Sequence, residues 1–261
     1  MRLLLTALVY AAFTCSAFSQ HISIEYSGSP LTHRDKRQIE IFLRHAADFY
    51  SRHGLSDTLN IRLNLFDDKE KWKRFLIERN PRYKKVPIMP QGIFNLKTKE
   101  CSVMLVGGMK GMSLGVIRHE LSHALFRSIF GTNTLPWLNE GLSEYFQHCN
   151  VTKNGLKHSL EPYEKGRLRT MLMLDEIRLE DIFNYKHEEF MHHQQTNDQV
   201  TYITSHAIVT FFIEATPQDY FKKLVSVLKD SNDKDSNLQK IDKTYPGGWE
   251  QLKKDFEDYY K

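Results

Sequence analysis

The sequence predicts an α+β fold, with a small α/β part leading into a mostly helical C-terminal part. Three observations predict it. Residues 60–66, NIRLNLF, alternate Ile61, Leu63 and Leu65 with polar neighbours, the two-residue period of a half-buried strand. Residues 92–107, GIFNLKTKECSVMLVG, read as a hairpin turning near Lys97, Thr98 and Lys99, with residues 101–106 as its second strand. From Ser113 onward the apolar spacing becomes helical and stays so to the end of the chain.

The elements follow in order. Residues 1–19 are set apart as a secretory signal: Arg2, an apolar run over 3–13, then Ala17, Phe18 and Ser19 before Gln20. That run is too short to span a bilayer, and no later segment is long and apolar enough for a membrane helix. A lipoprotein anchor at Cys15 is disfavoured, because Ala12, Phe13 and Thr14 fit poorly before it. The expected location is therefore secreted or periplasmic, with one domain over 20–261. Residues 20–112 make its α/β region and residues 113–261 its helical region.

Within the α/β region, Ile39, Phe42, Leu43, Ala46, Phe49 and Tyr50 form a helical stripe over 33–53, stopped by Gly54. Residues 68–79 read as a short helix with Trp72, Phe75 and Leu76 inward, and Pro81, Pro87 and Pro90 mark an irregular passage. In the helical region, a helix is expected over 114–130, closed by Gly131, and another from Pro136, a good first-turn residue, to 148. Further helices are expected over 163–177, 198–215, 217–229 and 247–260.

Charge excludes one class of function. Loss of Arg2 with the signal leaves 35 of the 36 basic residues against 32 acidic ones, near balance, so nothing points to a nucleic-acid partner. Cys101 and Cys149 remain, and an oxidising compartment permits them to pair.

The chemistry sits in VIRHELSHALFRSIFGTNTLPWLNEGLSEYF, residues 116–146. On a helix turning about 100° per residue, His119 and His123 head within about 40° of each other, one turn apart, with Glu120 beside them. This is the H-E-x-x-H arrangement: two neutral imidazoles bind zinc and the glutamate acts on water. A chain of this length carries that pentapeptide by accident roughly once in a hundred. Here it lies between Ile117, Leu121, Ala124 and Leu125, where imidazole and carboxylate without partners would each cost a few kcal/mol. A solvated helix face with Arg118 and Arg127 as ion-pair neighbours is the plainer alternative. Zinc needs a third ligand, and the next helix offers Glu140, with sixteen residues between it and His123, and Glu144 one turn later.

HELSHALF followed by LPWLNEGLSEYF resembles the gluzincin branch of zinc metallopeptidases, particularly the peptidase-MA-like domains. The close match covers about 92–146 and continues loosely through TYITSHAIVTFFIE. The resemblance implies a zincin-like fold in which His119, His123 and Glu140 bind Zn2+. It makes Glu120 the general base of peptide hydrolysis, and Glu144 the acid that hydrogen-bonds a ligating histidine. The sixteen-residue separation is shorter than in the best-known aminopeptidase and thermolysin-like members.

A donor opposite the zinc must stabilise the oxyanion, and Tyr202 and His206, one turn apart, are the candidates; the resemblance favours Tyr202. It also implies that an edge strand beside the zinc helix pairs with substrate. Residues 101–106 are expected to be that strand, with Ser102, Val103, Met104 and Leu105 binding a peptide or protein. His192 and His193 are expected in a solvated loop. Two rival functions remain: a peptide-binding domain without catalysis, and a zinc hydrolase of a non-peptide substrate.

Overall fold

Alternation of Ile22, Ile24 and Tyr26 with polar residues starts the described chain as a strand, β1 (Ile22–Gly28), which the sequence reading did not anticipate. The structure is a computed structural model and describes residues 22–53, 59–86, 88–107, 110–131, 135–196, 200–230 and 235–261. The expected signal segment with Cys15, the expected helix stop at Gly54, and Pro87 lie outside the described residues.

The Thr32 side chain accepts a hydrogen bond from the Asp35 amide and so caps α1 (His33–Ser51). α1 leads to β2 (Leu59–Phe66), and Asp68 caps α2 (Lys69–Arg79) in the same way. A 3-10 turn (Pro81–Lys85) then leads to β3 (Gly92–Asn95) and β4 (Glu100–Met104). The four strands form one sheet in the order β1-β2-β4-β3; β1, β2 and β4 are parallel, and β3 runs antiparallel to β4.

One face of this sheet presents Leu59, Ile61, Leu63, Leu65, Cys101 and Val103 to the main core. Phe66 and Met104 meet Trp72 and Leu76 of α2 in a separate small core. β4 thus has a hydrogen-bonded strand on each side, and Ser102, Val103 and Met104 are buried. The expectation that 101–106 lines the cleft is corrected: its backbone groups are spent within the sheet. The strand at the sheet's end is β3, the first arm of the hairpin. Leu105 lies beyond β4, its amide bonded to the Phe66 carbonyl at 2.6 Å.

Beyond β4 stand α3 (Lys110–Phe130) and α4 (Pro136–Gln147), with Gly131 between them at φ +59°, the left-handed cap its position required. Then come a small hairpin, β5 (Cys149–Thr152) and β6 (Gly155–His158), and, among the described residues, seven helices. These are α5 (Pro162–Met173), α6 (Leu179–Asn184), α7 (His187–Thr196), α8 (Val200–Glu214), α9 (Gln218–Lys229), α10 (Asn237–Thr244) and α11 (Gly248–Tyr260). A small sheet followed by helices makes the chain α+β. None of the described helices is long and apolar enough to cross a membrane.

One further expectation is revised and one open alternative is closed. His192 belongs to α7 rather than to a loop, and its side chain is exposed. Cys101 and Cys149 do not pair. Each thiol donates to a helix carbonyl instead, Cys101 to that of Glu120 and Cys149 to that of Tyr145.

α3 lies between the sheet and the helical region, held to α1 by the 2.8 Å bond between the Tyr50 hydroxyl and Ser122. α4 packs on α3 and, on its other side, on α8. Gly141 permits the second contact. A Cβ there would lie 2.6 Å from Val209 Cγ2 and closer still to the Ser205 carbonyl oxygen, so any side chain would push the two helices apart. The glycine after Glu140 thereby sets how near α4 comes to α8, and with it the position of Glu140.

Candidate metal centre

α3 and α4 bring His119, His123 and Glu140 to one point, with one ligand atom of each within 4.8 Å of the others. Glu140 Oε2 lies 3.5 Å from His119 Nε2 and 3.6 Å from His123 Nε2. All three residues are buried, and Oε2 has no hydrogen-bond partner. A buried carboxylate oxygen without a donor is costly, and two imidazole nitrogens facing the same oxygen make it a natural cation site. Two imidazoles and one carboxylate form a donor set that suits zinc.

The outer ring nitrogens are held as such a site requires. His123 Nδ1 lies 3.0 Å from Asn139 Oδ1 and 3.0 Å from Ser143 Oγ. Donation to the Asn139 carbonyl leaves the Nε2 lone pair facing Glu140. His119 Nδ1 lies 3.3 Å from Glu144 Oε1, near enough to pair electrostatically though not aligned as a hydrogen bond. Asn139 and Ser143 escaped the sequence reading, although both share α4 with Glu140. The Asn-Glu-Gly triplet therefore has three tasks: Asn139 orients His123, Glu140 faces the imidazoles, and Gly141 admits α8.

Electrostatics favour a cation here. Burial pushes Glu120 up to about 8, and Glu140 and Glu144 add to the shift against the pull of His119. Burial opposes charge on His119 too, but Glu140, Glu144 and Glu120 outweigh it and hold the imidazolium to about 9. Burial takes His123 down to about 4. Burial also works against the Glu140 anion, yet His123, His119 and the Tyr202 hydroxyl bring it down to about 2. Glu120, Glu140 and the part-buried Glu144 thus surround two imidazoles, and it takes a raised Glu120 and a protonated His119 to hold their charge without a further cation. A dication in the triad supplies positive charge and displaces the proton.

Glu120 faces the sheet. A Cβ at Gly92 of β3 would lie 2.7 Å from Val116 Cγ1, 2.8 Å from Glu120 Cγ and nearer still to Glu120 Oε1. Glycine at the strand's start therefore keeps the carboxylate beside the sheet edge. If Glu120 acts on a substrate, Gly92→Ala is expected to leave metal content intact while kcat falls on the order of 10²-fold, the penalty for displacing a reacting group by about 1 Å. Metal analysis paired with steady-state kinetics reads this, and an unchanged kcat would show that Glu120 has slack.

Tyr202 of α8 stands beside the Glu140 carboxylate and helps hold it below the usual carboxylate range. His206, one turn later, does not. Its Nε2 lies 2.8 Å from His158 Nε2 and its Nδ1 3.3 Å from Glu164 Oε1, in a separate cluster behind Glu144. With both ring nitrogens engaged there, His206 is withdrawn as the oxyanion donor. A groove of about 700 Å³ over the sheet, lined by Arg62, Arg79 and Glu100, lies away from this chemistry. Its arginines pair with Glu100 at 2.9 and 2.7 Å.

No protein-family model matches the chain, and no curated protein matches it.

Proposed function

We propose that the protein is an exported zinc-dependent metallopeptidase of the gluzincin type. One observation carries the proposal: Glu140 Oε2, buried and without a donor, faces the Nε2 atoms of both histidines of an H-E-x-x-H helix. A zinc ion held by His119, His123 and Glu140 supplies a Lewis acid that polarises the scissile carbonyl and acidifies the attacking water. Glu120 takes the proton of that water as it attacks and delivers it to the amine nitrogen as the C–N bond breaks. Glu144 and Asn139 hold the two ligating rings from behind, and the edge strand β3 offers an extended peptide a backbone to pair with.

The deciding experiment measures zinc in the purified protein and digests a broad peptide library across pH 5 to 9, with Glu120→Gln as the control. Zinc in the triad without cleavage of any peptide would favour a binding module or a non-peptide substrate.

Tyr202 is the remaining candidate for stabilising the oxyanion. Such a donor is typically worth about 3 kcal/mol, or roughly 10²–10³ in rate, and acts mainly in the transition state. Tyr202→Phe is therefore expected to lower kcat by about that factor with little change in KM or zinc content. A 10–100-fold loss of zinc affinity at unchanged kcat would instead make the hydroxyl a support for Glu140.

A further inference from the structure

Behind the triad lies a second group of metal-binding side chains. Glu144, His148, Glu164 and His206 each bring one ligand atom within 4.8 Å of the others. Glu144 and His148 come from α4 and its C-terminal end, Glu164 from α5 and His206 from α8, so three helices converge here. His206 is fully buried and stacks on His148 with ring centroids 4.9 Å apart.

The surrounding hydrogen bonds decide which way these rings present their lone pairs. Glu214 Oε1 lies 2.7 Å from His158 Nδ1, and a carboxylate can only accept, so His158 donates through Nδ1. Tyr145 stacks on the His158 ring at 4.0 Å and fixes its plane. A neutral His158 then has a lone pair on Nε2, and the His206 Nε2–H, 2.8 Å away, donates to it. His206 is left with its Nδ1 lone pair pointing at Glu164 Oε1, 3.3 Å off. His148 Nδ1 lies 2.9 Å from the Glu144 carbonyl oxygen, another group that can only accept. Its Nε2 lone pair therefore also faces Glu164, whose Oε2 is 3.9 Å away. In this tautomer two imidazole lone pairs face one carboxylate, and a shared cation relieves the repulsion.

A proton on His158 is the alternative remedy: its Nε2–H would donate to His206, leaving a His206 Nδ1–H for Glu164. A charge-assisted N–H···O bond draws its atoms to about 2.7–2.9 Å. Bonds of about 2.0–2.2 Å to a shared ion instead leave neighbouring ligand atoms roughly 3.3–3.5 Å apart. The 3.3 Å contact suits either arrangement, but the proton leaves the His148 Nε2 lone pair facing Glu164 Oε2 at 3.9 Å, too long for a hydrogen bond. One proton also satisfies one ring, whereas one cation satisfies both. Imidazoles that donate their outer N–H to a carbonyl or to a carboxylate-anchored ring are held as metal ligands usually are.

We propose that Glu144, His148, Glu164 and His206 form a second, part-buried site for a divalent metal ion of the zinc class, behind the first. Two imidazoles and two carboxylates select such an ion over magnesium or calcium, which prefer oxygen alone. The site shares Glu144 with the triad, since one oxygen of that carboxylate faces His119 Nδ1 at 3.3 Å and the other faces His148. An ion there fixes the group that orients His119. The second site does not depend on the peptidase reading.

The test strips the purified protein with a chelator, dialyses it against Zn2+ and counts bound metal per chain. Wild type is expected to bind about two ions, and Glu164→Gln, His206→Ala and His123→Ala about one each. Glu164→Gln keeps size and shape, so circular dichroism separates loss of a ligand from loss of fold if His206→Ala misfolds. Wild-type uptake in the folded Glu164→Gln protein overturns the second site. One ion lost in His123→Ala and kept in Glu164→Gln also overturns it and leaves the peptidase reading standing. One ion kept in His123→Ala and lost in Glu164→Gln upholds the second site and removes the first. No uptake overturns both.

Discussion

On the proposed peptidase reading, Glu120→Gln is expected to lower turnover by several orders of magnitude while leaving zinc bound and the fold intact. The substitution keeps size and shape and removes only the capacity to take a proton. General-base catalysis contributes roughly 10²–10⁴ in rate. Loss of the same group also removes proton delivery to the leaving amine, so the fall is expected at the top of that range or beyond. Glu120 touches the reacting atoms without being a ligand, which separates its variant from those of His119, His123 and Glu140. Retained cleavage would sink the assignment of Glu120 as base.

The same variant has an expected effect on stability in the metal-free protein. Burial pushes Glu120 from 4.5 up to about 8. A carboxyl whose folded pKa is raised costs stability as pH climbs through the window between the unfolded and folded values, because folding then excludes a charge that water accepts. Metal-free Glu120→Gln lacks that cost. It is expected to melt above metal-free wild type at pH 9, with the gap closing as pH falls toward 4.5. A gap independent of pH would mean that Glu120 is solvated and not enclosed.

How much of this was legible in the sequence depended on whether an element's reason is local. The α3 pentapeptide, the Gly131 cap and the Pro136 helix start are local, and each appears where the spacing set it. The hairpin at 92–107 was legible as a hairpin, but which arm lies at the sheet's edge depends on where β2 docks, which no residue in the hairpin encodes. β4 carries the more apolar arm because it is the inner one, a hint that buriedness and edge position oppose each other. Gly92 and Gly141 read as ordinary glycines, since their need arises from Glu120 and Ser205, which reach them only in the fold.

His206 shows the limit most clearly. Its place one turn after Tyr202 suggested the same destination, but a turn of α8 carries it past Glu144 into the next layer. The neighbours that claim it, His158 and Glu164, lie on β6 and α5, far away in sequence. What was readable is the spacing of Glu140, Glu144 and His148, each four residues after the last. That stripe runs along one face of α4, from the triad to the second cluster.

Removal of a triad ligand is expected to cost one metal ion and a large share of stability. His119→Ala, His123→Ala and Glu140→Ala should each bind one equivalent fewer than wild type, because a site reduced to two protein ligands rarely holds zinc. A bound ion stabilises the fold by about 4 kcal/mol when free metal stands at 1,000 times its dissociation constant. For a domain of this size that corresponds to a melting shift on the order of 10 °C. The three variants should therefore melt well below zinc-loaded wild type and should not respond to zinc through the triad.

They should differ once the metal is stripped. His123→Ala leaves Asn139 Oδ1 and Ser143 Oγ without the ring nitrogen they share, which adds an unsatisfied pair to the lost ion. Glu140→Ala removes a buried carboxylate that carries an orphaned oxygen, so its metal-free form should lose less than that of His123→Ala. Glu144→Gln is expected to lose the ion of the second site, while its effect on the triad is 10–100-fold in affinity and not the whole ion, since there it only orients His119. Elemental analysis and thermal melts with and without chelator read all four variants. Full zinc occupancy in Glu140→Ala, with loss of both ions in Glu144→Gln, would move the third ligand one turn along α4.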